Sequence, residues 1–300
     1  MPNTLLRNRQ LGSDVARVNL LVNGGFEWWQ RGTTFTQNAA GQVYGADRWY
    51  GSLGGAGSLT VAKDTTNVDS SGTAAALTVT YSGVVMNFWQ VLEDVKQIRG
   101  HQATLSIRVR CATANAVRAS LWDNGVIANG AYHPGDGTYR TLTVTGSFVA
   151  TAGQVAVGLD LGASCTAYVD NAMFVLGGQA CDYVPLPPAD DLARCLRYYE
   201  ILMQGNATLY LGQVTGAGSA YVPFSFKVQK AVTPTMTFSG TATLLNSSAG
   251  VGYAITSYTG GWASPTNGSC QFTASSGALT AGNATMVQPS SGVVTAEANP

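Results

Sequence analysis

Asn19-Leu20-Leu21-Val22-Asn23-Gly24-Gly25-Phe26-Glu27-Trp28-Trp29-Gln30-Arg31-Gly32, answered by Ala46-Asp47-Arg48-Trp49-Tyr50, is the stretch from which the chain is read. An aliphatic run enters an Asn-Gly-Gly turn, where the backbone is expected to need positive φ. An aromatic–acidic pair and two tryptophans follow. Phe26 and the tryptophans bring large apolar area with polar handles, which suits the edge of a sandwich core or a face that stacks on sugars. The stretch is therefore expected to be the first strand of a β-sandwich.

Working outward, period-two alternation recurs. Leu105, Ile107, Val109 and Cys111 share one face and Ser106, Arg108 and Arg110 the other; Leu77 with Val79, Leu142 with Val144, and Val155 through Leu161 repeat the pattern. Such alternation marks antiparallel strands covered on one face. Asp123-Asn124-Gly125 and Pro134-Gly135-Asp136-Gly137 supply turn chemistry between them. The fold class that follows is all-β, with two β-sandwich, jelly-roll-like domains joined by a Pro-rich linker and one short helix. The boundaries are an N-terminal arm at 1–18, a jelly roll at 19–177, a linker at 178–203 and a C-terminal β-sandwich at 204–300. The linker helix is expected to be capped by Asp190 or Asp191 and to carry Leu192, Leu196 and Tyr199 on one stripe.

Composition narrows the function. Sixteen basic and sixteen acidic residues cancel, which gives no electrostatic footing for nucleic acid. No apolar run approaches the roughly 20 residues that span a bilayer, and no apolar h-region follows the first residues, so neither membrane nor secretory export is expected. Only 11% of residues are charged, against roughly 25% in ordinary soluble domains. From Gln204 onward Lys227, Lys230 and Glu297 are the only Lys, Arg, Asp or Glu residues. A surface so poor in charge suits contact with identical neighbours or with a neutral polar partner such as glycan. The five cysteines, with no C-x-x-C pair, read as free thiols of a reducing cytoplasm.

The same residues resemble a class of bacteriophage and prophage virion proteins, tail-fibre-like, whose N-terminal part is a jelly roll similar to carbohydrate-binding modules. Asn19 to Gly32 and Ala46 to Tyr50 match the opening of that class. Gln90-Val91-Leu92-Glu93-Asp94 matches its middle; Asp170-Asn171-Ala172-Met173-Phe174 and Asp191 to Glu200 match its exit and joint. The resemblance spans roughly residues 19–202, and the C-terminal part matches only loosely. It implies a non-enzymatic protein of the virion exterior, made in the bacterial host cytoplasm and commonly oligomeric. A homotrimer is expected on that analogy alone. The partners implied are its own copies and other capsid, tail or baseplate proteins, with host surface glycan as a further partner. Capsid decoration or a compact tail or baseplate spike is favoured over a long fibre, because the arm is short and no shaft follows. The alternative is a carbohydrate-binding, receptor-recognition module of a tail fibre.

Site expectations follow from these readings. Jelly rolls of the class often hold one structural calcium near the first and last strands, which makes Glu27 and Asp170 the implied ligands. The plainer alternative pairs Glu27 with an arginine and has Asp170 cap a turn. Trp28 and Trp29 are adjacent, so on a continuing strand one ring would face away from the core and serve glycan binding. Tyr253, Tyr258 and Trp262, flanking an expected turn at Thr259-Gly260-Gly261, form a second binding patch. Arg7, Arg9 and Arg17 on the arm are the virion-attachment residues. Enzyme chemistry finds little support, since His101 and His133 are the only histidines and adjacent Glu93 and Asp94 point apart on a strand.

Overall fold

A computed structural model describes residues 18–205, 209–246, 250–275 and 279–299. Arg7, Arg9 and Arg17 lie outside them. The chain divides into two compact units, Met1–Leu186 and Pro187–Pro300.

Among its described residues the first unit contains twelve strands: β1 (Thr34–Gln37), β2 (Gly41–Tyr44), β3 (Tyr50–Leu53), β4 (Ser58–Asp64), β5 (Ala74–Thr80), β6 (Met86–Val91), β7 (Gln102–Cys111), β8 (Val117–Asp123), β9 (Val126–Tyr132), β10 (Tyr139–Ser147), β11 (Val155–Leu161) and β12 (Cys165–Leu176). They form two six-stranded sheets, β1-β4-β5-β12-β7-β10 and β2-β3-β6-β11-β8-β9. Leu105, Ile107 and Val109 of the first sheet and Val155, Val157 and Leu159 of the second are all fully buried in one shared core. The period-two reading of those strands therefore holds.

The opening segment differs from its expected form. Asn19 to Gly25 is not a strand. It lies along β12, with the Leu20 amide donating to Phe174 O at 2.9 Å and the Ala172 amide to Gly24 O at 2.8 Å. On its other side it meets no ladder, because the Gln90 side chain takes the place of one. Its Oε1 accepts from the Val22 amide at 2.8 Å and its Nε2 donates to Val22 O at 2.7 Å. A buried amide side chain has the donor and acceptor of a peptide group, so it satisfies Val22 as a neighbouring strand would. The turn that follows is held by Asn23, at φ 55°. Its amide donates to Trp28 O at 2.9 Å and Asp47 O at 3.1 Å, and its oxygen accepts from the Trp28 amide at 3.1 Å. Asn is among the few non-glycine residues that tolerate this left-handed conformation. Phe26, Trp49 and Phe88 then close the end of the core, with ring centroids 4.9 to 5.9 Å apart.

The second unit begins with the helix α1 (Pro188–Leu196), followed by β13 (Tyr199–Met203), β14 (Tyr210–Gly216), β15 (Ser219–Ser225), β16 (Thr235–Ser239), β17 (Ala242–Asn246), β18 (Val251–Ala263), β19 (Asn267–Ala274), β20 (Ala284–Pro289) and β21 (Val293–Glu297). Strands β14-β15-β19-β18-β17-β20 close on themselves, and β13-β21-β16 form a separate three-stranded sheet. Most of the unit's β-structure is thus one continuous hydrogen-bonded ring rather than two open sheets, which removes exposed strand edges from a surface with few charges to protect them. The segment expected to be a linker belongs in part to this unit: β13 pairs with β21, and the Ala298 amide donates to Tyr198 O at 2.7 Å. Neither Asp190 nor Asp191 is the N-cap; Pro187 holds that place and Pro188 starts the helix. Proline suits the first helical position because its missing N–H would have had no partner there.

Candidate binding groove

The outer face of the β2-β3-β6-β11-β8-β9 sheet carries a concavity of about 620 Å³. Strand alternation builds it. On β6, Met86 and Phe88 enter the core, so Asn87, Trp89 and Val91 face out; on β8, Ala119 and Leu121 enter the core, so Arg118, Ser120 and Trp122 face out. Register then aligns three rows across the sheet. One runs Tyr44, Tyr50, Trp89, Gly158, Ser120, Asn129. A polar row beside it runs Gln42, Ser52, Asn87, Asp160, Arg118, Tyr132, and an apolar row on the other side runs Val91, Ala156, Trp122, Val126.

Gly158 decides the shape of the floor. A Cβ there would stand 2.2 Å from Phe88 O and 3.0 Å from Cδ1 of Trp89, so only glycine leaves room for the indole beside it. The Trp89 and Trp122 rings then lie 6.2 Å apart, tilted by 46°, and Tyr44 and Tyr50 pair at 5.7 Å. Burial, with Tyr44 adding to it, pushes the Tyr50 hydroxyl up to about 12, which keeps it a neutral donor. Two polar atoms on the floor, Trp89 Nε1 and Ser120 Oγ, are buried without a hydrogen-bond partner among the described residues. A buried donor left unsatisfied costs about 1–3 kcal/mol. Arg118 and Asp160 neutralise each other, Nε to Oδ2 at 2.8 Å, and the guanidinium sits 4.6 Å from the Tyr132 ring. Asp160 is the single carboxylate among the described residues lining the groove.

The sequence-derived site residues lie elsewhere. Glu27 is exposed. Asp170 is fully buried, and its carboxylate accepts from Ser71 Oγ at 2.7 Å and from the amides of Asp69 and Asn171 at 2.9 and 2.8 Å. That is the turn-capping alternative, beside a register shift in β12 between Asp170 and Met173. Burial drives its carboxyl above the ordinary range against these hydrogen bonds, whereas the Arg108 guanidinium beside Asp69 holds that carboxyl below it. Among the described residues no group of three or more His, Cys, Asp or Glu side chains is placed to share a metal ion. Trp29 packs on the core and donates from Nε1 to Phe26 O at 2.7 Å; Trp28 is half-buried and does not line the groove. His133 is fully buried, with Nδ1 accepting from the Gly135 amide at 3.0 Å.

In the second unit, Thr259-Gly260-Gly261 is not a turn but continues β18. Tyr253 packs on the barrel core, and Tyr258 lies between Phe238 and Phe272, 5.8 Å from each. Trp262 alone of the three is exposed, at 76%. The groove aromatics were visible as composition, but strand phase was the signal that singles them out. Phe88-Trp89 is a consecutive aromatic pair inside a real strand, where one ring must point away from the core. Trp28-Trp29 is a pair just outside one.

No protein-family model matches the chain, and no curated protein matches it. Among solved structures it is similar to the tandem N-terminal CBM22-1–CBM22-2 domains of Xyn10C from Paenibacillus barcinonensis, at 11% identity and TM-score 0.39, covering 95% of this chain and 98% of that one. The CBM22-1 xylan-binding domain of the same protein matches at 13% identity and TM-score 0.37, over 55% of this chain and 98% of that one. The enzymatically active domain of tailspike protein 4 from bacteriophage CBA120 matches at 16% identity and TM-score 0.38, over 53% of this chain. The chain spans 22% of that tailspike's length. The chain's own strands and sheets make it all-β.

Proposed function

We propose that the N-terminal sandwich binds a neutral glycan chain in the groove across β2-β3-β6-β11-β8-β9, and that the protein is a non-enzymatic recognition component of a virion exterior. The observation that carries the reading is the aromatic cluster of Tyr50, Trp89 and Trp122, drawn from two neighbouring rows of the groove, with the polar row beside it. Aromatic faces bury the C–H faces of sugar rings, while the polar row supplies donors and acceptors to hydroxyls. With Arg118 and Asp160 cancelling, the groove offers no net charge to an ionic ligand. Binding without turnover fits a lining with one ion-paired carboxylate, since glycoside hydrolysis ordinarily needs two. The virion setting rests on the sequence resemblance.

Titration of the full chain with neutral soluble polysaccharides by calorimetry tests the groove. Micromolar binding is expected for at least one of them. Trp89→Ala and Trp122→Ala each weaken it by about tenfold or more, equivalent to about 1.4 kcal/mol, and Trp28→Ala leaves it unchanged. Binding indifferent to Trp89 and Trp122 overturns the assignment.

A second role, copy-to-copy contact through the C-terminal unit, draws on a different observation. Of the three charged residues after Gln204, Lys230 is buried, while Leu211 is 70% and Val232 51% exposed. A homotrimer is expected in sedimentation velocity, stable to high salt because little of the contact is ionic. A monomer at all concentrations removes this role.

A further inference from the structure

We propose that the C-terminal barrel holds a second carbohydrate site, separate from the groove, where one neutral pyranose ring docks against the Trp262–Tyr221 pair.

The site is made by a β-bulge. Between β18 and β19 the register runs Gly260↔Cys270 and then Ala263↔Gly268, so Gly261 and Trp262 together oppose Ser269. A Cβ on Gly261 would lie 2.0 Å from Ser269 O, so the bulge closes only around glycine. Bulges of this kind bend a strand locally and re-aim its side chains. Here the re-aimed residue is Trp262, whose ring, although 76% exposed, lies 5.4 Å from Tyr221 at 32°. Tyr221 belongs to β15, with β19 lying between it and β18. The floor beneath is Gln271, which registers with Tyr221 on one side and Thr259 on the other.

The result is a shallow recess of about 180 Å³ whose lining is completed by Thr259, Gly260 and Gly261. Its size suits one sugar ring and not a chain. Its chemistry is an aromatic platform, a primary amide and hydroxyls, with no ionisable carboxylate, ammonium or guanidinium in the lining. An anion would find no cation there. A quaternary ammonium would find aromatic faces but no carboxylate to reinforce them. A neutral ring with one C–H face and a rim of hydroxyls uses every group present. An exposed Trp held by a glycine-dependent bulge over a second aromatic is a built feature.

The test uses the full chain carrying Trp89→Ala and Trp122→Ala, which silences the groove. Probes are the methyl glycosides of glucose, galactose, mannose and N-acetylglucosamine, with choline as the cationic control. Binding is read by saturation-transfer NMR and by tryptophan fluorescence, in which Trp262 contributes the solvent-exposed, red-shifted emission. At least one glycoside is expected to bind at millimolar concentration and shift that emission. Trp262→Ala and Tyr221→Ala should each weaken it at least tenfold with the melting temperature unchanged, and Trp262→Phe should retain part of it. The proposal is overturned if no glycoside of the panel binds or if Trp262→Ala leaves binding intact. Choline binding in their place also overturns it, as does a change in oligomeric state on Trp262→Ala without any glycoside effect.

Discussion

Trp49→Ala lowers the stability of the N-terminal sandwich by about 3–5 kcal/mol, the usual cost of truncating a fully buried tryptophan. Trp49 is 0% exposed and sits 4.9 Å from Phe26 and 5.3 Å from Phe88. Its Nε1 donates to Asn23 O at 3.0 Å. The substitution therefore opens a cavity and removes one of the two donors to a buried carbonyl in a turn already held at positive φ. Trp49→Phe separates the two effects, since it keeps a ring while removing one of the two donors to Asn23 O, which still accepts from the Phe26 amide at 3.1 Å; about 0.5–1.5 kcal/mol is expected from the lost hydrogen bond. Trp28→Ala, at a half-buried neighbour, costs under about 1 kcal/mol. Urea denaturation followed by near-ultraviolet circular dichroism of the aromatic cluster measures all three. Equal midpoints for Trp49→Ala and Trp28→Ala would show that the cluster does not hold this end of the sandwich.

In the C-terminal unit, Lys230→Ala has an effect of the same order, about 3–5 kcal/mol, because it strands a buried carboxylate. Lys230 and Glu200 are both 1% exposed, with Nζ and Oε2 2.6 Å apart. The ammonium also donates to Leu196 O at the C-terminal end of α1 and lies 4.9 Å from the Phe226 ring. Glu200 in turn accepts from the Lys227 amide at 3.2 Å. Burial pulls the Lys230 ammonium below its ordinary range, and Glu200 pulls it back. One ion pair thus ties the helix end, β13 and the segment around residues 226–230 together. The double substitution Lys230→Met, Glu200→Gln removes both charges, and thermal melts should show it recovering more than half of the single-mutant loss. A double mutant as unstable as the sum of the singles would show that the two residues act independently.

Parts of this fold were legible residue by residue. Leu105, Ile107 and Val109 alternate with Ser106, Arg108 and Arg110, and the sheet buries the first set as the alternation requires. The proximity of the opening segment to β12 also follows the expected topology. Other parts were not legible, because they depend on partners far away in sequence. Gln90 replaces a strand beside Val22 across 68 positions. Asp170 meets Ser71, not Glu27, across 99. Thr259-Gly260-Gly261 carries turn composition, yet the ladder to β19 absorbs it as a bulge.

By itself the sequence determined the all-β class, the scarcity of charge and the aromatic content, since these are set by local periodicity and composition. Only the tertiary structure decided which aromatics line a concave surface and which merely pack. A ring's role depends on strand phase and on cross-strand register, and both are fixed by contacts between residues distant in the chain. Trp49 fills the core, Trp89 floors a groove and Trp262 is turned outward by a bulge, although the three are the same residue type.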